Sequence, residues 1–404
     1  MAHAIEAEAL PDVQSPPEHR TAPSLEQVLA EIDALAPVVK DSGAKAEVTR
    51  RVPREVERRL RDAGLYRLSL PRSHGGLELD LPSLMKVTQE LSRLDGSIGW
   101  VLGSVRTMSS VVGALFSRER YDQLYGSGRD VAFSSAAQPA GTIEASGDQW
   151  RVNGRWPFAS GCTDADWLVV NCVVVENGEV KPGARPGMPE TRFALIAPHQ
   201  ARIEDSWHTM GMRATDSHDL VLENVLVPVN DLIDPQTAQP CLPGPLYTSP
   251  FQTVALSHGA VSLGIAQAAL DDLLTLARSG RRQLYAPTAQ KDSEVFHYEV
   301  AQVDADLRAA QAYSDLFTKR MWQRLQAGAV PLGPPLPETL QTVVWVSETC
   351  RRVARTCFEL GGGAAVYDRS PLQRRLRDIE VISQHMLVQR RQYSAVGAAL
   401  VAEQ

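Results

Sequence analysis

Glu359–Val388, ELGGGAAVYDRSPLQRRLRDIEVISQHMLV, is the stretch from which the rest of the chain can be read. Gly361, Gly362 and Gly363 close one helix, and residues without Cβ let backbone come close to a ligand. Ser370-Pro371-Leu372-Gln373 has the form of a capping box with proline in the first turn, which predicts Ser370 as the N-cap of a new helix. On that helix Asp378 and His385 stand seven residues apart and share a face with Leu372, Ile379 and Ile382. The spacing predicts a titratable imidazole delivered near a glycine turn.

Working backwards, apolar periodicity predicts helices over Leu340–Leu360, Glu294–Gln326 and Val254–Leu276, with the proline-rich AGAVPLGPPLPE (Ala327–Glu338) as a stop. With the helix after Ser370 they make a four-helix bundle over 241–404. Between Asp130 and Asp234 the period changes to two and β-branched residues dominate. Val131–Ser135, Trp167–Val175, Arg192–Ala197 and Leu220–Val227 read as strands, and Asn153-Gly154 reads as the turn of a hairpin. An antiparallel β domain over 130–240 is expected. From Ser24 the pattern is helical again, giving an N-terminal helical domain over 24–129 preceded by a mobile tail, 1–23. The class is α+β. No βαβ alternation and no GxGxxG after a strand is present, so a nicotinamide site is not expected.

The 404 residues carry 48 acidic and 41 basic side chains, a net charge of −7, and no long basic run, which argues against nucleic acid or an anionic membrane as partner. No run approaches the roughly 18 consecutive apolar residues of a membrane-spanning helix and no leader pattern opens the chain, so a cytoplasmic protein is expected. Five cysteines without a CxxC pair support neither a disulfide framework nor a zinc site.

Gly99–Phe116, GWVLGSVRTMSSVVGALF, carries Trp100 and Met108 on a small-residue apolar helix that suits either a core position or the lining of a substrate site. RWPFASGCTDADW places Ser160 between aromatics and a glycine where a strand ends. Phe133-Ser134-Ser135 lies on another strand, and Arg281-Arg282 ends a helix, where a basic residue also answers the helix dipole.

GGG…SPLQRRLRD, WPFASG and GMRATDS together resemble the acyl-CoA dehydrogenase fold, over nearly the whole chain after the tail. A dehydrogenase of that fold commonly has a glutamate shortly after the Arg-Asp pair. Here the Ser383-Gln384-His385-Met386 segment that follows Arg377-Asp378 contains no carboxylate, which resembles the flavin-dependent two-component (group D) monooxygenases of the same fold. The resemblance implies an oxygenase component that takes reduced flavin (FADH2 or FMNH2) from a separate reductase. It implies O2 as co-substrate, activated as a C4a-hydroperoxide, and hydroxylation of an aromatic or heteroaromatic ring. Ser160 is implied to bond flavin N5, Trp156 and Phe158 to wall the ring, and Phe133, Ser134 and Ser135 to run along its pyrimidine edge. Arg281 and Gly361–Gly363 are implied to complete a neighbour's flavin site in a homotetramer, with His385 at the reacting centre. Phenol-hydroxylating relatives carry a histidine where the alignment puts Met108, which implies an apolar, indole-like or polycyclic substrate. An N- or S-oxygenase, an acyl-CoA dehydrogenase with a relocated base, and a silent binding protein are the alternatives.

Overall fold

Ser24 caps α1 (Leu25–Thr49). Its Oγ accepts from the Gln27 N–H, and Gln27 Oε1 accepts from the Ser24 N–H at 2.6 Å. The computed structural model describes residues 24–126, 130–184, 187–235 and 237–402, so the expectation for 1–23 lies outside it. Val28, Ile32, Leu35 and Val39 of α1 are buried, as their spacing of three and four requires. They pack with α2 (Arg54–Asp62), α3 (Leu81–Leu94) and α4 (Arg118–Tyr125) into one helical core.

Between α3 and α4 the expected single helix over 99–116 is replaced by two pieces. Gly99–Arg106 winds as a π-helix and Ser109–Gly113 as a short α-helical turn. The Thr107 N–H and hydroxyl both donate to the Leu102 carbonyl, five residues back, at 3.2 and 2.7 Å, which opens the ordinary ladder. Gly99 is required by a close approach, because a Cβ there would lie 1.8 Å from Ser92 Oγ on α3.

One mixed sheet follows, from β1 (Phe133–Ser146), β2 (Gln149–Ala159), β3 (Trp167–Glu176), β4 (Glu179–Val180), β5 (Thr191–Ile196), β6 (Arg202–Glu204), β7 (His218–Pro228) and β8 (Leu232–Ile233). Its order is β6-β7-β2-β1-β3-β5-β8, with β4 on β3. Two expectations are corrected here. The sheet is not purely antiparallel, since β1 and β3 pair in parallel, Ser134 opposite Leu168. Nor is Asn153-Gly154 a hairpin turn: the chain reverses at Gly147-Asp148, and β2 runs straight through Asn153-Gly154. The pair instead marks a bulge against β7, where Gly154 takes φ +149 and leaves room for the Trp156 ring.

The C-terminal part is α5 (Pro250–Arg278), α6 (Glu294–Gln326), α7 (Pro337–Gly361) and α8 (Pro371–Ile382), followed by α9 (Tyr393–Ala402). α5 is the central element, packed against α3, α6, α7 and α8. By length and composition it could cross a membrane, but most of its apolar stretch is buried inside the protein. Ser370 does precede α8, yet its side chain makes no capping bond, because Gln373 turns away to the Asp368 carbonyl and to Arg377. α8 also ends earlier than His385. Its last turn tightens at Gln384 and His385, whose N–H groups reach Val381 and Ile382 three residues back, and the Ser383 hydroxyl takes the Glu380 carbonyl. His385 is therefore not on a helical face with Asp378. It stands in extended backbone (φ −64, ψ 138) at the head of a short turn.

Candidate active site

Asp378 and His385 have separate surroundings. The Asp378 carboxylate is fully buried and accepts from the Met212 N–H at 2.6 Å. Burial pushes its pKa up to about 6, against the pull of Arg374, which also pairs with Asp95. It ties α8 to the GMRATDS loop and has a structural role. Glu380, the next carboxylate, is held by Arg351 at 2.9 Å. Neither is placed as a free base.

His385 packs instead on Trp100, from the π-helix, with ring centroids 5.5 Å apart, and on His258, from α5, with centroids 4.3 Å apart. Trp100 sets its edge against His258 as well, at 4.9 Å and 88°. Burial pushes the His258 pKa down to about 4 and that of His385 well below its usual value, so both rings are neutral at pH 7. His258 was not among the sequence-predicted site residues. The available signal was a lone titratable side chain inside the small and apolar ALSHGAVSLG run.

Trp100 also connects this cluster to the sheet. Its indole N–H donates to Ser160 Oγ at 2.9 Å, and Ser160 Oγ continues to Ser217 Oγ at 2.8 Å and on to Thr215 Oγ1 at 2.7 Å. Ser217 and Thr215 come from the GMRATDS loop, so that motif reaches the site as well as marking the fold. Beside Ser160, Phe158 sits in left-handed backbone at φ +66 and is 61% exposed, edge-on to Trp207 at 6.1 Å. A bulky residue in that region is strained, and here the strain turns a large ring out of the sheet.

Arg106 was missed as well. It is buried at the end of the π-helix and donates to the Phe133 carbonyl at 2.9 Å and the Gly161 carbonyl at 2.8 Å. One guanidinium thus fixes the ends of β1 and β2 and holds the Ser134 and Ser160 neighbourhoods together. Ser134 Oγ is buried without a partner, and Ser135 is exposed.

Two expected site residues are corrected. Trp156 walls no open face: it is fully buried in the sheet core, its N–H given to the Asn171 carbonyl at 2.6 Å. Met108 is 3% exposed and packs in the helical core, because it falls where the π-helix turns inward. Phe133 is buried in that core too, and its carbonyl serves Arg106.

Arg281 and the three glycines do come together, away from His385. Arg281 Nη1 donates to the Gly361 carbonyl at 3.1 Å, and Gly362 takes φ +54 with Gln283 Nε2 2.9 Å from where a Cβ would stand. That patch lies at the far end of α5, about 30 Å from His258 at about 1.5 Å per residue.

These residues fit a flavin in two halves. Ser160, Phe158, the unpartnered Ser134 hydroxyl and Ser135 offer hydroxyls and an exposed ring at one place. Arg281 and a glycine turn without Cβ suit a phosphate at the other.

Comparison with known proteins agrees. Residues 30–119 match the acyl-CoA dehydrogenase N-terminal domain and residues 256–390 the acyl-CoA dehydrogenase C-terminal domain. The indole-3-acetate monooxygenase of Pseudomonas putida is 32% identical over 92% of this chain and 93% of its own. The chain belongs to the flavin-dependent monooxygenases of the acyl-CoA dehydrogenase fold. The flavin-dependent monooxygenase oxygenase subunit HsaA of Rhodococcus jostii is 27% identical over 86% of this chain and 91% of its own. The Streptomyces protein XiaF, solved in complex with FADH2 and glycerol, superposes with a TM-score of 0.84 at 25% identity, covering 94% of this chain and 96% of that one. This monooxygenase is accordingly the oxygenase component of a two-component system, using reduced flavin and dioxygen to hydroxylate an aromatic substrate.

Proposed function

We propose that this monooxygenase oxygenates a fused-ring, indole-type aromatic compound, with His385 handling the proton at the reacting centre. The observation that carries this reading is the single connected cluster His385–Trp100–Ser160, in which one indole ring separates the imidazole from the serine hydroxyl. Reduced flavin supplies the activation of dioxygen. Ser160 would hold the ring through a hydroxyl already oriented by Trp100 and Ser217. Phe158 and Trp207 would cover an aromatic face and keep water from it. His385, neutral and packed on Trp100 and His258, would accept or return a proton. The indole-type ring is favoured by the relative that acts on indole-3-acetate and by the flat indole of Trp100, which offers a stacking edge rather than a charged clamp.

The glycine-arginine patch would serve a second copy of the chain. With about 30 Å of α5 between His258 and the glycine turn, a site shared between copies in a homotetramer would account for both halves. A separate reductase in the cytoplasm would supply the reduced flavin.

The test is to mix the protein with reduced FAD or FMN anaerobically, add oxygen with indole, and analyse products. Hydroxylated indole with little hydrogen peroxide is expected, and NADH without a reductase should give no turnover. Stoichiometric peroxide and no oxygenated product from indole, benzothiophene or phenol would sink the proposal.

A further inference from the structure

His258 Nδ1 lies 2.8 Å from the Val254 carbonyl. A carbonyl only accepts, so Nδ1 carries the proton and the neutral ring has its lone pair on Nε2. That Nε2 is buried and has no hydrogen-bond partner. A buried acceptor left so is costly, and few persist without a use. On the facing ring, the Leu387 N–H donates to His385 Nδ1 at 3.3 Å, which puts the His385 proton on Nε2. The two imidazoles are complementary, one with a free lone pair and the other with a free N–H, at a centroid distance of 4.3 Å and a plane angle of 45°.

Other donors nearby are committed. The Trp100 N–H goes to Ser160, the Ser257 hydroxyl donates to the Val254 carbonyl and accepts from Ser104, and the Ser262 hydroxyl donates to the His258 carbonyl and accepts from Ser347. The charged groups around the His385 turn are paired among themselves: Arg390 with Glu348 at 2.8 Å, and Arg351 with Glu380 at 2.9 Å.

We propose that His258 is a positioning residue, whose Nε2 receives the His385 Nε2–H after a small rotation of that ring and so fixes its tautomer and direction. The anchor is the Val254 carbonyl in the second turn of α5, while His385 sits on a short turn whose Leu387 N–H holds the ring loosely, at 3.3 Å. The arrangement has the logic of a carboxylate holding a catalytic imidazole, with a neutral acceptor in its place, and it leaves the Nδ1 lone pair, met by the Leu387 N–H only at 3.3 Å, to take the proton. The inference rests on the reading of His385 given under Proposed function.

The test uses the full-length protein with reduced flavin, oxygen and indole. Product formation is followed for His258→Phe, which keeps a ring against Trp100, and for His258→Gln, which keeps an acceptor. Both are made alone and in His385→Ala. His258→Phe should lower kcat about tenfold with the KM for indole within about twofold, and His258→Gln should recover most of the loss. In the His385→Ala background His258→Phe should change kcat by less than about twofold, since a residue acting through another adds nothing once that one is gone. Equal losses in both backgrounds would overturn the proposal, because they would mean direct substrate contact or a packing role. So would a His258→Gln variant no better than His258→Phe. If His258→Phe fails to assemble, His258→Leu replaces it in the same cycle. Absence of indole product from the unmodified protein would overturn the function reading and this inference together; product with additive losses would overturn this inference alone.

Discussion

At His385 the imidazole is neutral because burial disfavours its charged form. Replacing it with alanine should leave reduced-flavin affinity unchanged and lower hydroxylation about a hundredfold to ten-thousandfold, with hydrogen peroxide rising in proportion. Unchanged coupling and rate in a folded His385→Ala variant would make the residue structural. Its neighbour has a measurable effect on stability. The His258 pKa falls from 6.5 to about 4 through burial, so between those values the unfolded chain binds a proton that the folded chain refuses. Stability is full above pH 6.5 and is lost as pH falls toward 4, by about 1.4 kcal/mol per pH unit from this residue. Denaturant midpoints measured from pH 7 to pH 4 should therefore fall less steeply for His258→Gln; parallel curves would show that this imidazole is not buried as described.

The π-helix of Gly99–Arg106 is the element that makes the site one object. It carries Trp100 to the histidines at one end and Arg106 to the strand ends at the other. Arg106→Met removes the donors to the Phe133 and Gly161 carbonyls and should cost about 2–4 kcal/mol of stability, since two buried acceptors lose charged partners. Reduced-flavin affinity should drop with it, because Ser134 and Ser160 flank those carbonyls. Lysine should not restore either property, as a single ammonium cannot bridge two carbonyls in a fixed fork. A melting midpoint and flavin titration for both variants check this; full rescue by Arg106→Lys would show that charge alone matters. The same element shows where pattern reading stops. Its small apolar residues announce close packing, but the wider helical winding depends on Thr107 bonding back to Leu102, which periodicity does not encode.

At the scale of the molecule, about 30 Å of α5 separates His258, beside the Trp100–Ser160 pair, from the glycine–arginine patch, and a second copy is expected to unite the two. Mixed assemblies test this directly. Arg281→Glu and Ser160→Ala should each be inactive alone, whereas reassembly of the two together should regain part of the activity, because some sites then combine intact halves. Sedimentation of the mixture should show tetramers. No regain from properly assembled hybrids would place both halves of a site within one chain.

Much of the fold was legible because its cause is local. Apolar spacing gave α5, α6 and α7 nearly to their ends, period-two alternation located β3, β5 and β7, and the glycine and WPFASG motifs marked the family. The site was legible only in part, as His385 and Ser160 were visible as residue types beside special backbone. Sequence could not show that Trp156 is core while Phe158 is exposed, since the bulge at Gly154 and the left-handed turn at Phe158 set which face each ring takes. Nor could it pair His385 with His258. Helical phase joined His385 to Asp378, but α8 ends at Ile382 and the turn beyond it swings the imidazole onto α5. Local propensity and periodicity act over a few residues, whereas the partner of a buried imidazole is chosen by which helices pack together.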